Sequence, residues 1–213
     1  MDKSRISTYA VIALFFAAGL CLMAWRSGLV KDRQLQDGDI IFQASQSSQC
    51  EAIRLATGSL YTHCGIIFEH DGQWMVLEAV QPVKITPFDQ WTERGIDGKY
   101  VVKRLKDAGN ILTEESRTEM IAEAKTMLGR EYDLWFGWSD ERIYCSELVW
   151  KIYRRGAGVE IGKLQKLSEF ELSHVAVQTK LRERYGNDIP LDELVISPAS
   201  IFESGLLETV YSN

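Results

Sequence analysis

The strongest chemical candidate in this sequence is Cys145, in the segment YCSELVWKIY. Apolar residues recur at helical spacing from Tyr144 to Tyr153, which predicts a helix with Cys145 at or near its N-terminus. A thiol is a good nucleophile only as a thiolate, and the free N–H groups and positive dipole end of a helix stabilise that charge. The same N–H groups can bind a developing oxyanion. We therefore predict that Cys145 is a catalytic nucleophile; the alternative is a small, inert core thiol.

A nucleophilic cysteine needs a base, and the sequence contains three histidines. His70 stands beside Asp71 in a turn-like segment and is most simply a solvated loop residue. His174 precedes a short apolar stretch and fits either the surface or the core. His63 begins a strand-like segment, YTHCGIIF, where a rigid element would hold its ring. We therefore predict that His63 is the general base.

The segment HCGIIFEHDGQWMVLEAV predicts a β-hairpin. Its β-rich arms run from His63 to Glu69 and from Gln73 to Val80, and the dipeptide Asp71-Gly72 between them favours a type I′ turn. A two-residue turn fixes the register of the hairpin, so each residue of one arm has a defined partner on the other.

In that register Glu78 faces Gly65, which shares a face of the sheet with His63. Glu78 is then a diagonal neighbour of His63, within reach of a long carboxylate. It also interrupts the apolar string MVLEAV, where a charge is costly unless it has a partner. We predict that Glu78 orients the His63 ring; the alternative is that Glu78 lies on a solvated face of the strand.

The elements around these residues predict an α+β fold with a mainly antiparallel sheet. We expect a strand in LQDGDIIF, a polar loop, a short helix stopped by Gly58, a further strand, a helix ended by Gly129, and two short C-terminal elements. In the same order, their bounds are Leu35–Phe42, Ser45–Gln49, Cys50–Thr57, Gly98–Leu105, Thr113–Met127, Leu167–Leu172 and Leu194–Ile201, with a turn at Ser197-Pro198 leading into a short helix.

The composition is that of one ordinary globular domain. The chain has 213 residues, 46% of them hydrophobic and 25% charged, which is enough for a sizeable core. The formal charge of -6 leaves no basic surplus to grip a phosphate backbone, so we predict that nucleic acid is not a partner.

The N-terminus reads as a targeting segment. After a short tail, residues 1–8, the run YAVIALFFAAGLCLMAW from Tyr9 to Trp25 carries no charge and predicts a signal sequence or a membrane anchor. A helix in the soluble core is the alternative. Basic residues flank the run on both sides, and we predict the N-terminus in the cytoplasm and the domain, residues 35–213, in the periplasm or cell envelope. Cys21 follows Leu20 where a small residue would be expected, so lipidation is not predicted.

The remaining cysteines give a weaker indication. Cys50, Cys64 and Cys145 lie beyond the apolar run, and an odd number leaves at least one thiol unpaired. Cys64 follows His63 in a strand, so we expect its side chain to point away from the His63 face and to serve as packing. The two adjacent residues therefore do not converge on a metal, and we predict neither a metal ion nor a cofactor.

These segments resemble a known family. LQDGDIIF, YTHCGIIF, LEAV and YCSELVWKIY are similar to the YiiX-like proteins, the circularly permuted branch of the NlpC-type papain-like amidases and peptidases, which are related to lecithin:retinol acyltransferase-like enzymes. The order supports this, because the His segment precedes the Cys segment. The resemblance implies a papain-like fold with the sheet packed on the nucleophile helix, and Cys145, His63 and Glu78 as nucleophile, base and orienting residue. It also implies that Tyr132, in GREYDLWF, lines the substrate site; a core tyrosine is the alternative.

The expected function is that of a cysteine hydrolase. With export, the resemblance implies an amide substrate such as a peptidoglycan-derived peptide, while the acyltransferase-like relatives keep a lipid ester or amide open. The expected partners are thus a small peptide or lipid-like substrate, and the membrane if the N-terminal segment is uncleaved. Two other classes stay open: a non-catalytic binding module on the same fold, and a structural envelope protein with a buried core thiol.

Overall fold

A six-stranded antiparallel sheet forms the centre of the computed structural model, which describes residues 35–45 and 48–213. Within those residues the strands are β1 (Ile40–Gln43), β2 (His63–His70), β3 (Gln73–Glu78), β4 (Lys84–Pro87), β5 (Val101–Leu105), β6 (Glu131–Tyr132), β7 (Arg142–Ile143), β8 (Gln165–Lys166), β9 (Leu194–Val195) and β10 (Leu207–Ser212). The central sheet has the order β10-β5-β1-β2-β3-β4. Two small sheets pair β6 with β7 in parallel and β8 with β9 in antiparallel orientation.

The hairpin of β2 and β3 has the predicted register. His70 pairs with Gln73 and Ile66 with Leu77. Asp71 and Gly72, the two turn residues, both have positive φ, 51° and 74°, as a type I′ turn requires. Because β2 begins where β3 ends, the first residue of β2 and the last residue of β3 lie at the same end of the sheet.

Helices cover the sheet and its ends. They are α1 (Ser48–Thr57), α2 (Phe88–Thr92), α3 (Ala108–Ile111), α4 (Glu114–Met127), α5 (Cys145–Gly156), α6 (Val175–Tyr185) and α7 (Pro198–Phe202). Helix α5 packs on β2 and on α4, and α1 packs on α6.

The main core lies between the sheet and α5. Ile40, Phe42 and Ile66 point to this side of the sheet, as the two-residue period of a strand dictates, and meet Leu148 and Ile152 of α5. On its other side α5 approaches α4 at a glycine. The core therefore holds the start of α5 against the start of β2.

Helices α4 and α5 are in close contact at Gly156. A Cβ added to Gly156 would lie 2.6 Å from the Cα of Met120. Real Cβ atoms are not found at that distance, so the packing of the two helices depends on the missing side chain.

The predicted α+β class, with an antiparallel sheet packed on the helix that begins at Cys145, is confirmed. The prediction of a polar loop over residues 45–49 is wrong at its C-terminal end, because α1 begins at Ser48. The strand predicted from Gly98 begins at Val101, since Ile96–Gly98 forms a 3₁₀ turn. Helix α6 is one of the longer elements that were not predicted. It buries only Val177 and Leu181, so its apolar residues show little helical periodicity in the sequence.

The N-terminal apolar run, residues 9–25, lies outside the described residues, as does the tail before it. In the part of the chain that the structure describes, helices long and apolar enough to cross a membrane are absent.

Candidate active site

Cys145 is the first residue of α5. The preceding residue, Tyr144, is extended, with φ -100° and ψ 166°, and its backbone N–H donates to the Glu147 carboxylate at 3.2 Å. This hydrogen bond caps the helix. The first backbone N–H groups of α5 point toward the end of the helix that carries the Cys145 thiol. Cys145 is 2% exposed, so its sulfur interacts with protein groups rather than bulk water.

His63 is the first residue of β2 and is hydrogen-bonded to the Cys145 thiol. Its Nε2 lies 2.7 Å from Oε2 of Glu78, so the bond to the thiol falls to Nδ1. The indole of Trp91 stacks on the imidazole, with the ring centroids 5.7 Å apart and the planes at 21°. Both ring nitrogens and one ring face are thus engaged, which fixes the orientation of the imidazole.

Glu78 is the last residue of β3 and is fully buried. Its Oε2 binds His63, and its Oε1 accepts from the Thr86 hydroxyl at 2.6 Å and from the Arg94 guanidinium. A buried carboxylate without partners would be strongly destabilising, and here both oxygens are satisfied. The solvated-face alternative for Glu78 therefore does not hold.

The pKa values of the three groups favour an ion pair. A hydrogen bond from Cys64, followed by one from His63, lowers the pKa of Cys145 well below its usual range against the opposing effect of burial. Burial would lower the pKa of His63, but its bonds to Cys145 and Glu78 raise it to about 9. For Glu78 burial opposes ionisation, yet the bonds from His63 and Thr86 and the charge of Arg94 lower its pKa to about 2. These shifts favour a thiolate, an imidazolium and a carboxylate over the neutral forms of the three groups.

Cys64 has a larger role than the packing predicted for it. The Cys64 side chain is buried in the main core, on the opposite face of β2 from His63, as expected. However, its thiol hydrogen-bonds to Cys145. Burial, and then the neighbouring thiolate, raise the pKa of Cys64 well above its usual range. Cys64 is thus a neutral donor to the Cys145 thiolate.

Tyr132 lies beside Gln49 and Cys145. Its hydroxyl accepts a hydrogen bond from Gln49 Nε2 at 3.2 Å. Burial, and then the Cys145 charge, raise the pKa of Tyr132 well above its usual range, so the hydroxyl keeps its proton beside the thiolate. The predicted substrate contact is compatible with this position, since a protonated phenol can donate to an incoming carbonyl.

Two clefts meet near Cys145 and His63. The first, here the apolar cleft, measures about 90 Å³, includes Cys145 and is lined chiefly by Ala52, Ala56, Leu167, Val177, Leu181 and Val195. The second, here the polar cleft, measures about 700 Å³, includes His63 and is lined chiefly by Gln43, Thr62, Gln81, Arg94 and Tyr132. Gln49 and Ile53 line both clefts, so the two are adjacent.

Sequence reasoning missed several residues that contact Glu78, His63 or Tyr132. Thr86 and Arg94 hold Glu78, Trp91 holds His63, and Gln49 holds Tyr132. Thr86 lies on β4, a strand that was not predicted. A predicted β4 paired with β3 would have placed the Thr86 hydroxyl next to β3. The other two histidines are not part of the site: His70 ends β2 with an exposed side chain, and His174 precedes α6.

Fold and site together define the papain-like class in its permuted order, with the histidine strand before the cysteine helix. Residues 34–211 match the family model described as permuted papain-like amidase enzyme, YaeF/YiiX, C92 family, and the chain belongs to that family. It is similar to the uncharacterized protein YiiX of Escherichia coli (strain K12), with 49% identity over 177 residues, which cover 83% of this chain and 86% of the relative.

A solved structure agrees with the fold. The crystal structure of metalloprotein YiiX from Escherichia coli O157:H7 has a TM-score of 0.80 and 49% identity, and the match covers 84% of this chain and 98% of that one. In residues 35–45 and 48–213 of this chain, groups of three or more His, Cys, Asp or Glu side chains arranged to hold a metal ion are absent. The described side chains therefore do not fit a metal centre.

Proposed function

We propose that this protein is a cysteine amidase in which Cys145, His63 and Glu78 act together. One observation carries the proposal: a buried hydrogen-bonded series runs from the thiol through the imidazole to the carboxylate, and the thiol stands at the start of a helix. The family's description as an amidase supports the reaction class. Each member has the charge that its role requires at neutral pH.

The reaction follows from these charges. The Cys145 thiolate attacks the carbonyl carbon of the amide, and N–H groups at the start of α5 are available to the resulting oxyanion. His63 gives its proton to the leaving nitrogen as the C–N bond breaks, and a free amine departs. Neutral His63 then removes a proton from water, the hydroxide attacks the thioester, and the C–S bond breaks. The carboxylic acid product leaves and gives its proton to solvent, and the Cys145 thiolate and the His63 imidazolium are restored. Glu78 binds no substrate; it holds His63 in position and stabilises the imidazolium.

We infer that the natural amide belongs to a peptide of the cell envelope, such as a peptidoglycan fragment. The apolar run at 9–25 supports export or anchoring, which would place the domain in the periplasm or envelope. The polar cleft supports a substrate with several hydrogen-bonding groups, since amide, hydroxyl and guanidinium side chains line it.

A lipid-directed esterase or acyltransferase is the second candidate, and the apolar cleft favours it. Aliphatic side chains reach Cys145 along this cleft, and such a lining suits an acyl chain better than a polar peptide. Both candidates share the thioester on Cys145 and differ in the group that it carries.

The test is hydrolysis of a panel of envelope peptides and fatty amides, followed by mass spectrometry, with wild type, Cys145→Ala and His63→Ala. We expect cleavage by wild type and a loss of at least about 100-fold in each variant. His70→Ala is the matched control, because His70 lies on the same strand with an exposed side chain, and it should cleave like wild type. Cleavage that persists in Cys145→Ala would contradict the cysteine mechanism. Slow, pH-independent labelling of Cys145 together with no cleavage by wild type would favour the non-catalytic binding module.

A further inference from the structure

A second thiol stands beside Cys145. Cys64 is fully buried, Cys145 is 2% exposed, and both belong to the core between the sheet and α5. The two thiols are hydrogen-bonded to each other, and the backbone N–H of Cys64 donates to the Cys145 sulfur as well. Both residues are free thiols in this structure. Because the two sulfur atoms are in contact, a disulfide between them needs only a small further approach.

The two thiols differ in reactivity. Hydrogen bonds from Cys64 and then from His63 lower the pKa of Cys145 well below its usual range, whereas burial raises the pKa of Cys64 well above it. The thiolate is the form of cysteine that oxidants attack. Cys145 is therefore the sulfur that is oxidised first, and Cys64 is a neutral thiol held against it.

A small oxidant has a path to Cys145. The residue lines the apolar cleft, and hydrogen peroxide is an uncharged molecule little larger than water. Cys64 has no exposed surface and lies behind Cys145 in the core. The proposed location in the cell envelope is an oxidising compartment, where a reactive thiolate meets such oxidants.

We propose that Cys64 and Cys145 form a reversible disulfide when the protein meets a hydroperoxide. This modification goes beyond the proposed amidase reaction: it depends on the Cys145 thiolate and not on which amide is cleaved. The disulfide blocks the Cys145 sulfur until a dithiol reduces the bond. It also protects Cys145 from oxidation to a sulfinic acid, which dithiols do not reverse.

The oxidation takes place in two steps. The Cys145 thiolate attacks one oxygen of the peroxide, the O–O bond breaks, and Cys145 becomes a sulfenic acid. The hydroxide that leaves takes the proton of the His63 imidazolium and becomes water. The Cys64 sulfur then attacks the Cys145 sulfur, the S–O bond breaks, and the second hydroxide leaves with the Cys64 proton as water. The two sulfur atoms together lose two electrons, and the peroxide gains them.

Mass spectrometry of the full chain after prolonged exposure to excess hydrogen peroxide tests the proposal. The mass of wild type should fall by about 2 Da, the two hydrogens lost in forming one disulfide. Digestion with pepsin at acidic pH, where thiol–disulfide exchange is slow, should release a peptide pair that links Cys64 to Cys145. Dithiothreitol should then return the iodoacetamide labelling of Cys145 to its level before the treatment.

Cys64→Ser is the test variant, because a serine hydroxyl can still donate to the Cys145 thiolate but cannot form a disulfide. After the same exposure its Cys145 should carry two added oxygens, as a sulfinic acid. Dithiothreitol should restore less than about a tenth of the labelling that it restores in wild type.

Cys50→Ser is the matched control. Cys50 lies on α1, lines the polar cleft and is close to Tyr132, so it is a second thiol near the site. This variant should give the same link between Cys64 and Cys145 as wild type and the same recovery with dithiothreitol.

The outcomes separate this proposal from the amidase reaction. A link between Cys50 and Cys145, or a sulfinic acid on Cys145 of wild type in place of the link to Cys64, would overturn the proposal and leave the cysteine mechanism standing. The mapped link in wild type decides between these results even if Cys64→Ser does not fold. A Cys145 that the peroxide does not oxidise would overturn the proposal and would also contradict the thiolate on which the proposed function depends.

Discussion

Replacing Glu78 by glutamine would remove a charge from the site while keeping the size of the side chain. The amide oxygen of the introduced glutamine can still accept from His63 Nε2, so the ring keeps its orientation. What is lost is the carboxylate charge that stabilises the imidazolium. The imidazolium should therefore lose its proton at a lower pH in the variant than in wild type.

The size of the effect follows from the pKa of His63. Its rise from 6.5 to about 9 corresponds to about 3 kcal/mol in favour of the charged ring. Cys145 and Glu78 both contribute to this rise, each by a hydrogen bond and by charge. Assigning about half to Glu78 gives about 1.5 kcal/mol, or about a tenfold change. The pKa of His63 should therefore fall by about one unit in Glu78→Gln.

NMR titration of the His63 ring from about pH 5 to about pH 11 measures the midpoint of its ionisation. Wild type should keep the imidazolium up to about pH 9, and Glu78→Gln should lose it about one pH unit lower. Glu69→Gln is the matched control, because Glu69 is an exposed carboxylate on β2, and its His63 should titrate like that of wild type. An unchanged midpoint in Glu78→Gln would refute the role of the carboxylate in forming the ion pair.

Three further predictions concern the thiol pair, the helix packing and the pH dependence of stability. Cys64→Ala removes the hydrogen bond that most lowers the pKa of Cys145, so labelling at pH 6 should slow, and an unchanged rate would contradict the contact. Gly156→Ala should lower the free energy of unfolding in urea by about 1–3 kcal/mol, because α4 occupies the space that the added Cβ needs. Gly109→Ala has open space around it and should not lower that free energy. Equal unfolding free energies for the two variants would contradict the packing. The raised pKa of His63 contributes stability that is fully present below pH 6.5 and is lost as the pH rises through about 9. The unfolding free energy of wild type should therefore fall across that pH window by more than the unfolding free energy of His63→Ala.

Local patterns were sufficient to predict the hairpin and the start of α5. Asp71-Gly72 is a turn with few alternatives, and its two-residue length fixes every pair along β2 and β3. This is why Glu78 could be placed beside His63 from the sequence. The helix from Cys145 has a strong apolar face, and its burial against β2 follows from that face.

Contacts between segments distant in sequence could not be predicted in the same way. Arg94 reaches Glu78 through α2 and its following turn, and no periodicity fixes the direction of that turn. Cys64 meets Cys145 because α5 crosses the start of β2, which depends on packing rather than on strand alternation. The clefts depend on α6, whose charged sequence hides its short buried stripe.

The central claim is that the acyl group of the substrate is carried on Cys145, and intact-protein mass spectrometry after rapid acid quench tests it most directly. With p-nitrophenyl hexanoate, wild type should show one added hexanoyl group that maps to Cys145. Cys145→Ala should show no adduct and no turnover above background. Turnover that continues in Cys145→Ala, or an adduct that maps to another residue of wild type, would contradict the account.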